Sequence, residues 1–322
     1  MNKLQKILIG VLAAQVVLAA FVFWPKPKTA ENTDLVMGDR TADQVTAVSV
    51  ADSAGNVVNL AKVEDAWVLP DVDQYPVDSG KVTSMLEDIF SVRYGRMVTE
   101  TASSHDRLEV GTEKFNRKIT MTFDSGSTQT IYVGSSPTAG ATNFRMDGED
   151  QVYLTDQLTT YSYGTGNANW INTSLVTVSS DTVQHMTLTN AQGTIDFTLQ
   201  DDGTWTLTNL PEGQQANSDA ISSLVSQATA MRITEPLGKT LDATYGMDKP
   251  TATLVLSMTD DQGNPVSLTL KFGAVDADAA TVVVKSSASD YYAKVSGTSA
   301  EKFINSTVAD FIAEQATPTT TP

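Results

Sequence analysis

Two histidines, three acidic loops and a small set of aromatic residues are the side chains with which this chain could do chemistry. His105 stands beside Asp106, with Ser103 and Ser104 just upstream. A serine nucleophile needs a histidine base and an orienting carboxylate that converge in space. Adjacency along the chain does not supply that convergence, so this run reads as a solvated loop and a hydrolase built on His105 as the weakest functional reading. His185 opens a strand-like run and reads as a surface or edge residue. Asp71, Asp73 and Asp78 form one acidic loop, Asp147, Glu149 and Asp150 a second, and Asp276 with Asp278 a third. Calcium favours such oxygen-rich loops, but none shows the alternating acids and closing glutamate of the twelve-residue calcium loop. They read as charge that solvates turns. Tyr161-Ser162-Tyr163, Trp170 and Tyr291-Tyr292 suit a sugar-stacking surface, with core and interface packing as the plainer use. The chain has no cysteine, which excludes thiol catalysis, thiolate metal sites and disulfides. It also lacks a Gly-rich phosphate loop and the HExxH zinc motif. No catalytic residue, cofactor or metal is expected.

Composition narrows the partners. At 322 residues, 41% of them hydrophobic and 18% charged, the chain holds two globular domains of ordinary size. Lys3, Lys6, Lys26 and Lys28 flank an apolar N-terminus, and residues 1–28 contain no acid. The remainder sets 17 basic residues against 38 acidic ones, within an overall net charge of −17. A surface that acidic repels phosphate backbones, so nucleic acid is excluded as a partner.

Residues 7–24 form an 18-residue apolar run broken only by Gly10 and Gln15. As a helix it would reach roughly 27 Å, enough to cross a hydrocarbon core. Cleavage after Ala19 or Ala20 would leave Phe21-Val22-Phe23-Trp24 as a strongly apolar new terminus. An uncleaved signal anchor is therefore expected, giving a single-pass protein of the cell membrane with its bulk extracytoplasmic.

The elements behind that anchor occur twice. Trp67 and Trp205 each lie in a short strand-like run after a Gly-containing turn, 138 residues apart, and Gly55 and Gly193 share the spacing. Alternating residues 45–50 and 185–189 each open a three-stranded meander. A helix follows in each: Val82, Met85, Leu86, Ile89 and Phe90 with Asp78 or Ser79 as cap, then Ile221, Leu224, Val225 and Ala228 with Ser218 as cap. Hairpins around Gly126 and Gly263 come next. A closing segment ends each repeat: a helix with an apolar stripe of Phe303, Ile304, Val308, Phe311 and Ile312 in the second, and a weaker stretch broken by Gly164 and Gly166 in the first. The expected fold is α+β, two tandem homologous domains of antiparallel meanders with one or two packed helices each, behind a transmembrane helix. The expected boundaries are an anchor at 1–28, a polar linker at 29–43, repeats at 44–174 and 175–314, and a disordered tail at 315–322. Extended, residues 28–40 would span roughly 40 Å.

In the second repeat Tyr245-Gly246-Met247-Asp248-Lys249-Pro250 precedes a strand. With the Trp205 strand and its following helix, this resembles a bacterial domain-of-unknown-function family, the one numbered 4340, whose members show Tyr-Gly-Leu-Asp-x-Pro in that place. The first repeat departs from the pattern, with Leu108-Glu109-Val110-Gly111-Thr112 there instead. Gly246 permits a positive φ, and Pro250 biases Lys249 toward extended geometry, so the motif residues are structural. The resemblance implies a membrane-anchored, non-enzymatic accessory, often encoded beside ABC-type transporters of the gliding-motility kind. Its partner would be an ABC-type permease or that permease's extracytoplasmic partner. The alternative is an exported ligand- or glycan-binding module at the cell envelope.

Overall fold

The structure is a computed structural model that describes residues 34–260, 262–278 and 280–314, together with Gln15. The apolar run at 7–24, Gln15 apart, and the tail at 315–322 lie outside the described residues. Among the described residues no helix is long and apolar enough to cross a membrane.

Among the described residues the chain is mostly antiparallel β-sheet with four short α-helices. The first half holds β1 (Val45–Ala51), β2 (Val57–Val63), β3 (Ala66–Leu69), β4 (Tyr75–Pro76), α1 (Ser79–Ser91), β5 (Met97–Thr99), α2 (His105–Leu108), β6 (Arg117–Phe123), β7 (Thr128–Val133), β8 (Thr142–Met146) and β9 (Val152–Thr155). The second holds β10 (Val183–Asn190), β11 (Gly193–Leu199), β12 (Trp205–Leu207), α3 (Ser218–Thr229), β13 (Ile233–Gly238), β14 (Ala252–Thr259), β15 (Pro265–Asp276), β16 (Thr281–Ser286), β17 (Tyr292–Ser296) and α4 (Gly297–Asn305). The sheets run β4-β3-β2-β1-β6-β7-β8-β9-β5 and β12-β11-β10-β14-β15-β16-β17-β13. Apart from the outer β4, the two orders match strand for strand. Even an irregularity recurs. The β1–β6 register slips between Val45 and Ala47, and the β10–β14 register slips between Val183 and His185.

Each sheet buries one face because its strands alternate. Val48 and Val50 of β1 point inward with Ile119, Met121 and Phe123 of β6, and Met186 and Leu188 of β10 do so with Leu254 and Leu256 of β14. A helix covers that face. Val82, Met85, Leu86 and Ile89 of α1 are buried, as are Ile221, Leu224, Val225 and Ala228 of α3. Asp78 caps α1 by accepting from the Gly80 amide at 3.1 Å. The cap of α3 is Asn217, whose Oδ1 accepts from the Ala220 amide at 3.1 Å, and not Ser218. The Ser218 hydroxyl is turned away to accept from the Trp205 amide at 2.9 Å, tying the helix start to β12. Trp67 and Trp205, 8% and 6% exposed, occupy the third strand of each meander beside the covering helix.

Three features differ from the sequence reading. Residues 34–37 are part of the first half, not of a linker beginning at 29: Val36 and Met37 are buried, and Leu35 bridges Arg93. The Asp34 carbonyl accepts from Tyr94 at 3.0 Å and the Val36 amide donates to Val92 at 3.0 Å. The second half opens the same way. Ser174 bridges Arg232, the Thr173 carbonyl accepts from Ile233 at 2.7 Å, and Leu175 donates to Met231 at 3.1 Å. The apolar triplet Leu35-Val36-Met37 is what packs this stretch. Next, Gly55 and Gly193 are not equivalent. Gly55 lies in the five-residue loop between Ala51 and Val57, whereas Gly193 is a strand residue paired with Asn190. The second hairpin is tighter, so the two glycines, both at positive φ, occupy different places in corresponding turns. Finally, the closing helix stops at Asn305. Thr307 starts a separate turn, Val308–Phe311, its amide and hydroxyl both donating to the Asp310 carboxylate at 2.8 and 3.0 Å.

The closing segments finish each half differently. In the second, the fully buried Phe303 of α4 stacks on Phe272 at 5.4 Å, and Phe311 meets Phe197 edge-on at 4.8 Å. In the first, only the single turns Thr160–Ser162 and Asn167–Asn169 form, ending at the buried Trp170. Both segments end by bonding the helix cap: the Asp78 amide donates to the Trp170 carbonyl at 2.8 Å and the Asn217 amide to the Phe311 carbonyl at 2.9 Å. One continuous hydrophobic cluster contains residues of both halves.

Candidate functional site

The halves meet at a polar and aromatic seam that begins with an unusual turn. After Leu69 the chain makes one 3-10 turn, Pro70–Val72, and then Asp73 and Gln74 both take positive φ, 50° and 57°. Such backbone in two consecutive non-glycine residues costs energy and persists only where surrounding contacts hold it. Here they do. The Asp73 carboxylate accepts from the backbone amides of Lys239 at 2.7 Å and Thr240 at 3.3 Å, just past β13. The Lys239 amide first, then that of Thr240, holds the Asp73 carboxyl below its ordinary range. The Tyr291 hydroxyl donates to the Gln74 carbonyl at 2.9 Å, and its ring tilts against Tyr75 at 4.5 Å. The Lys239 ammonium sits 4.8 Å from the centre of the Tyr291 ring. A shallow cleft of about 320 Å³ opens beside these rings, reaching Asn172 and Asp290. The sequence reading singled out Asp73 and Tyr291 for other roles. It missed Gln74, Tyr75, Lys239 and Thr240, whose meeting depends on backbone angles that no residue type announces.

The Tyr245-Gly246 motif is a loop laid tightly on a strand. Gly246 has φ 68°, and a Cβ on Gly273 of β15 would lie 2.0 Å from the Tyr245 carbonyl oxygen. The Tyr245 ring leans on Tyr292 at 5.3 Å. Beyond Pro250, the Thr251 amide and hydroxyl donate to the Phe272 carbonyl at 2.7 and 3.1 Å, fixing the entry to β14. The first half makes the same arrangement from different residues. Glu109 has φ 60°, and a Cβ on Gly134 would lie 2.2 Å from the Leu108 carbonyl oxygen. The motif is absent there in sequence but present in backbone.

The candidate chemical residues are spoken for one by one. His105 Nε2 faces the Asp150 carbonyl oxygen at 2.9 Å, which only an N–H can satisfy. The Asp106 carboxylate lies over Gly111, 2.2 Å from where a Cβ would stand. His185 is in β10, paired with Thr198 and Ser257 in the other sheet. Asp71 accepts from the Asn59 side-chain Nδ2 at 2.8 Å, Asp73 crosses the seam and Asp78 caps α1, so one acidic loop sends its carboxylates three ways. Glu149 accepts from the Tyr94 hydroxyl at 3.0 Å; burial first, then this bond, pushes that phenol up. Among the described residues no three His, Asp or Glu side chains cluster as metal ligands would.

The aromatic set divides. Tyr291 belongs to the seam and Tyr292 to the Tyr245 contact. Tyr161, Tyr163 and Trp170 come together along α1, where a groove of about 630 Å³ runs between that helix and residues 161–170. Its opposite edge carries Ser84 and Asp88 of α1, and Asp88 accepts from the Tyr163 hydroxyl at 3.2 Å. Burial first, then the Asp88 charge, raises the Tyr163 phenol.

A family model described as "Domain of unknown function (DUF4340)" matches residues 67–250, more than half of the chain. The chain belongs to the DUF4340 family. The matched stretch of this DUF4340 protein runs from Trp67 on β3 to Pro250 ahead of β14, so it crosses the seam and includes both covering helices. Comparison with curated proteins and with solved structures returns no match.

Proposed function

We propose that this protein is a non-enzymatic accessory of an ABC-type transport system, anchored in the cell membrane by residues 7–24 and working outside the cytoplasm by protein contact. The two halves are, in this reading, one domain duplicated and then differentiated. The observation that carries it is the use to which the reactive side chains are put. His105 holds a backbone carbonyl, Asp78 a helix end, Glu149 a phenol and Asp73 the junction between the halves. Each is spent on shape. The outcome is a rigid two-sheet body whose seam offers fixed aromatic and charged groups, the furniture of a contact surface. The transporter assignment rests on the context that the family resemblance implies.

Photo-crosslinking in intact membranes from a probe at Asp290, on the rim of the seam cleft, tests it. The expected product contains an ABC-type permease or its extracytoplasmic partner, and His105→Ala leaves the crosslink and the phenotype unchanged. Recovery of no membrane partner, together with loss of function in His105→Ala, would overturn the accessory reading in favour of the hydrolase.

A further inference from the structure

The two halves follow one plan except along the covering helix, and there the difference leaves an open site. In the second half α4, with the buried Phe303, packs across β10 and β14 to β17, and the turn Val308–Phe311, with the buried Phe311, packs on the flank of α3. The same flank of α1 meets only the coil 159–171, interrupted at Gly164 and Gly166, and the groove of about 630 Å³ stands open. That volume falls within the roughly 300–1,000 Å³ of ordinary ligand sites.

The groove is built and held. The Lys81 ammonium donates to the carbonyls of Asn169 and Ile171 at 3.0 and 2.8 Å. Trp170 Nε1 donates to Gly164 at 2.8 Å, and the Gly166 amide donates to Asn169 Oδ1 at 3.1 Å. This fixed coil presents Tyr161 with 97% of its surface exposed, while the next most exposed large hydrophobic among the described residues, Val275, reaches 52%. An isolated ring held out over a rigid groove offers a large flat contact at little entropic cost. The neighbouring polar groups are hydroxyls and a carboxylate: Ser84, Ser162 and Asp88. The cation within reach, Lys81, donates to two carbonyls, and the Asp78 and Asp88 carboxylates on the same lining outweigh its charge, which disfavours an anionic ligand.

We propose that the groove between α1 and residues 161–170 binds a neutral saccharide, with the Tyr161 ring under the apolar face of a pyranose and Ser84, Asp88 and Ser162 taking its hydroxyls. This site stands apart from the seam and does not depend on the transporter reading.

The test is calorimetric titration of the full-length chain, in a detergent without a sugar headgroup, with maltotetraose, chitotetraose and tetralysine. At least one of the two saccharides should saturate below about 10 mM, and Tyr161→Ala should weaken it roughly tenfold, while Tyr161→Phe keeps it. Ser84→Trp, which fills the groove from the exposed face of α1, should abolish binding. Both residues are exposed, so the variants should melt with the wild type, and a melt within error certifies each comparison. Failure of both saccharides to saturate overturns the proposal, as does unchanged affinity in Tyr161→Ala. Saturation by tetralysine alone also overturns it, reassigning the groove to a cationic peptide.

Discussion

Gly273→Ala puts a number on how tightly the Tyr245-Gly246 loop is pressed to its strand. The new Cβ would lie 2.0 Å from the Tyr245 carbonyl oxygen and 2.9 Å from the methyl of Met247, where real contacts do not fall below 3.0 Å. The oxygen belongs to the main chain, so no rotamer change relieves the clash, and the loop must lift by about 1 Å. Overpacking of this kind costs roughly 1–3 kcal/mol. Lifting also strips the Tyr245 ring from Tyr292, an aromatic pair worth about 0.5–1.5 kcal/mol. The total is about 2–4 kcal/mol. With a urea dependence of roughly 1–3 kcal/mol per molar, the transition of the second half should move down by about 1–4 M. Urea unfolding followed by peptide-resolved hydrogen exchange assigns the shift to its half. Gly134→Ala, with its Cβ 2.2 Å from the Leu108 carbonyl oxygen, should weaken the first half likewise. An unchanged midpoint for Gly273→Ala, with unchanged exchange over residues 245–250, would refute the close approach.

Truncating either buried tryptophan, Trp67→Ala or Trp205→Ala, should cost roughly 3–5 kcal/mol in the half that carries it, read from the same unfolding curves. Asp73→Ala should split calorimetric unfolding into two transitions by uncoupling the halves, and a single unchanged transition would count against the seam as drawn. Acid should do the same to the wild type. The folded pKa of Asp73 lies below its ordinary 3.8, so its contribution is present above that value and is lost as pH falls through the folded one; any weakening of the seam through Asp73 should appear only below pH 3.8. Asn217→Ala should destabilise α3 by about 1 kcal/mol through loss of the cap, measurable by the helical signal on melting.

Periodicity made the strands and covering helices legible, because Val82, Met85, Leu86 and Ile89 or Ile221, Leu224 and Val225 can be buried together in only one way. The tryptophan pair was legible for the same reason: a large ring at a fixed place before an amphipathic helix has to pack. Capping was ambiguous, since Asn217 and Ser218 both qualify by type and only the position of Trp205 decides between them. The loop over β7 was hidden because Glu109 adopts the backbone of Gly246 without being glycine. The seam was hidden for a like reason at Asp73 and Gln74. The groove along α1 left a partial trace in Gly164, Gly166 and the tyrosine-rich run, but its openness follows from what the first half lacks where the second has a helix.

The pairing of Leu35 with Arg93 sets the length of a leash. A linker free through Arg40 would let the body swing roughly 40 Å from its anchor. With Asp34 and Val36 bonded to Tyr94 and Val92 just past α1, an anchor at residues 7–24 as proposed would leave only residues 28–34, roughly 20 Å at full stretch, between it and the body. In the proposed anchored state the first half would ride close against the lipid surface. The lever arm would then be the body itself, and a pull on its far end would pass through the Leu35 stitch to the membrane with little play.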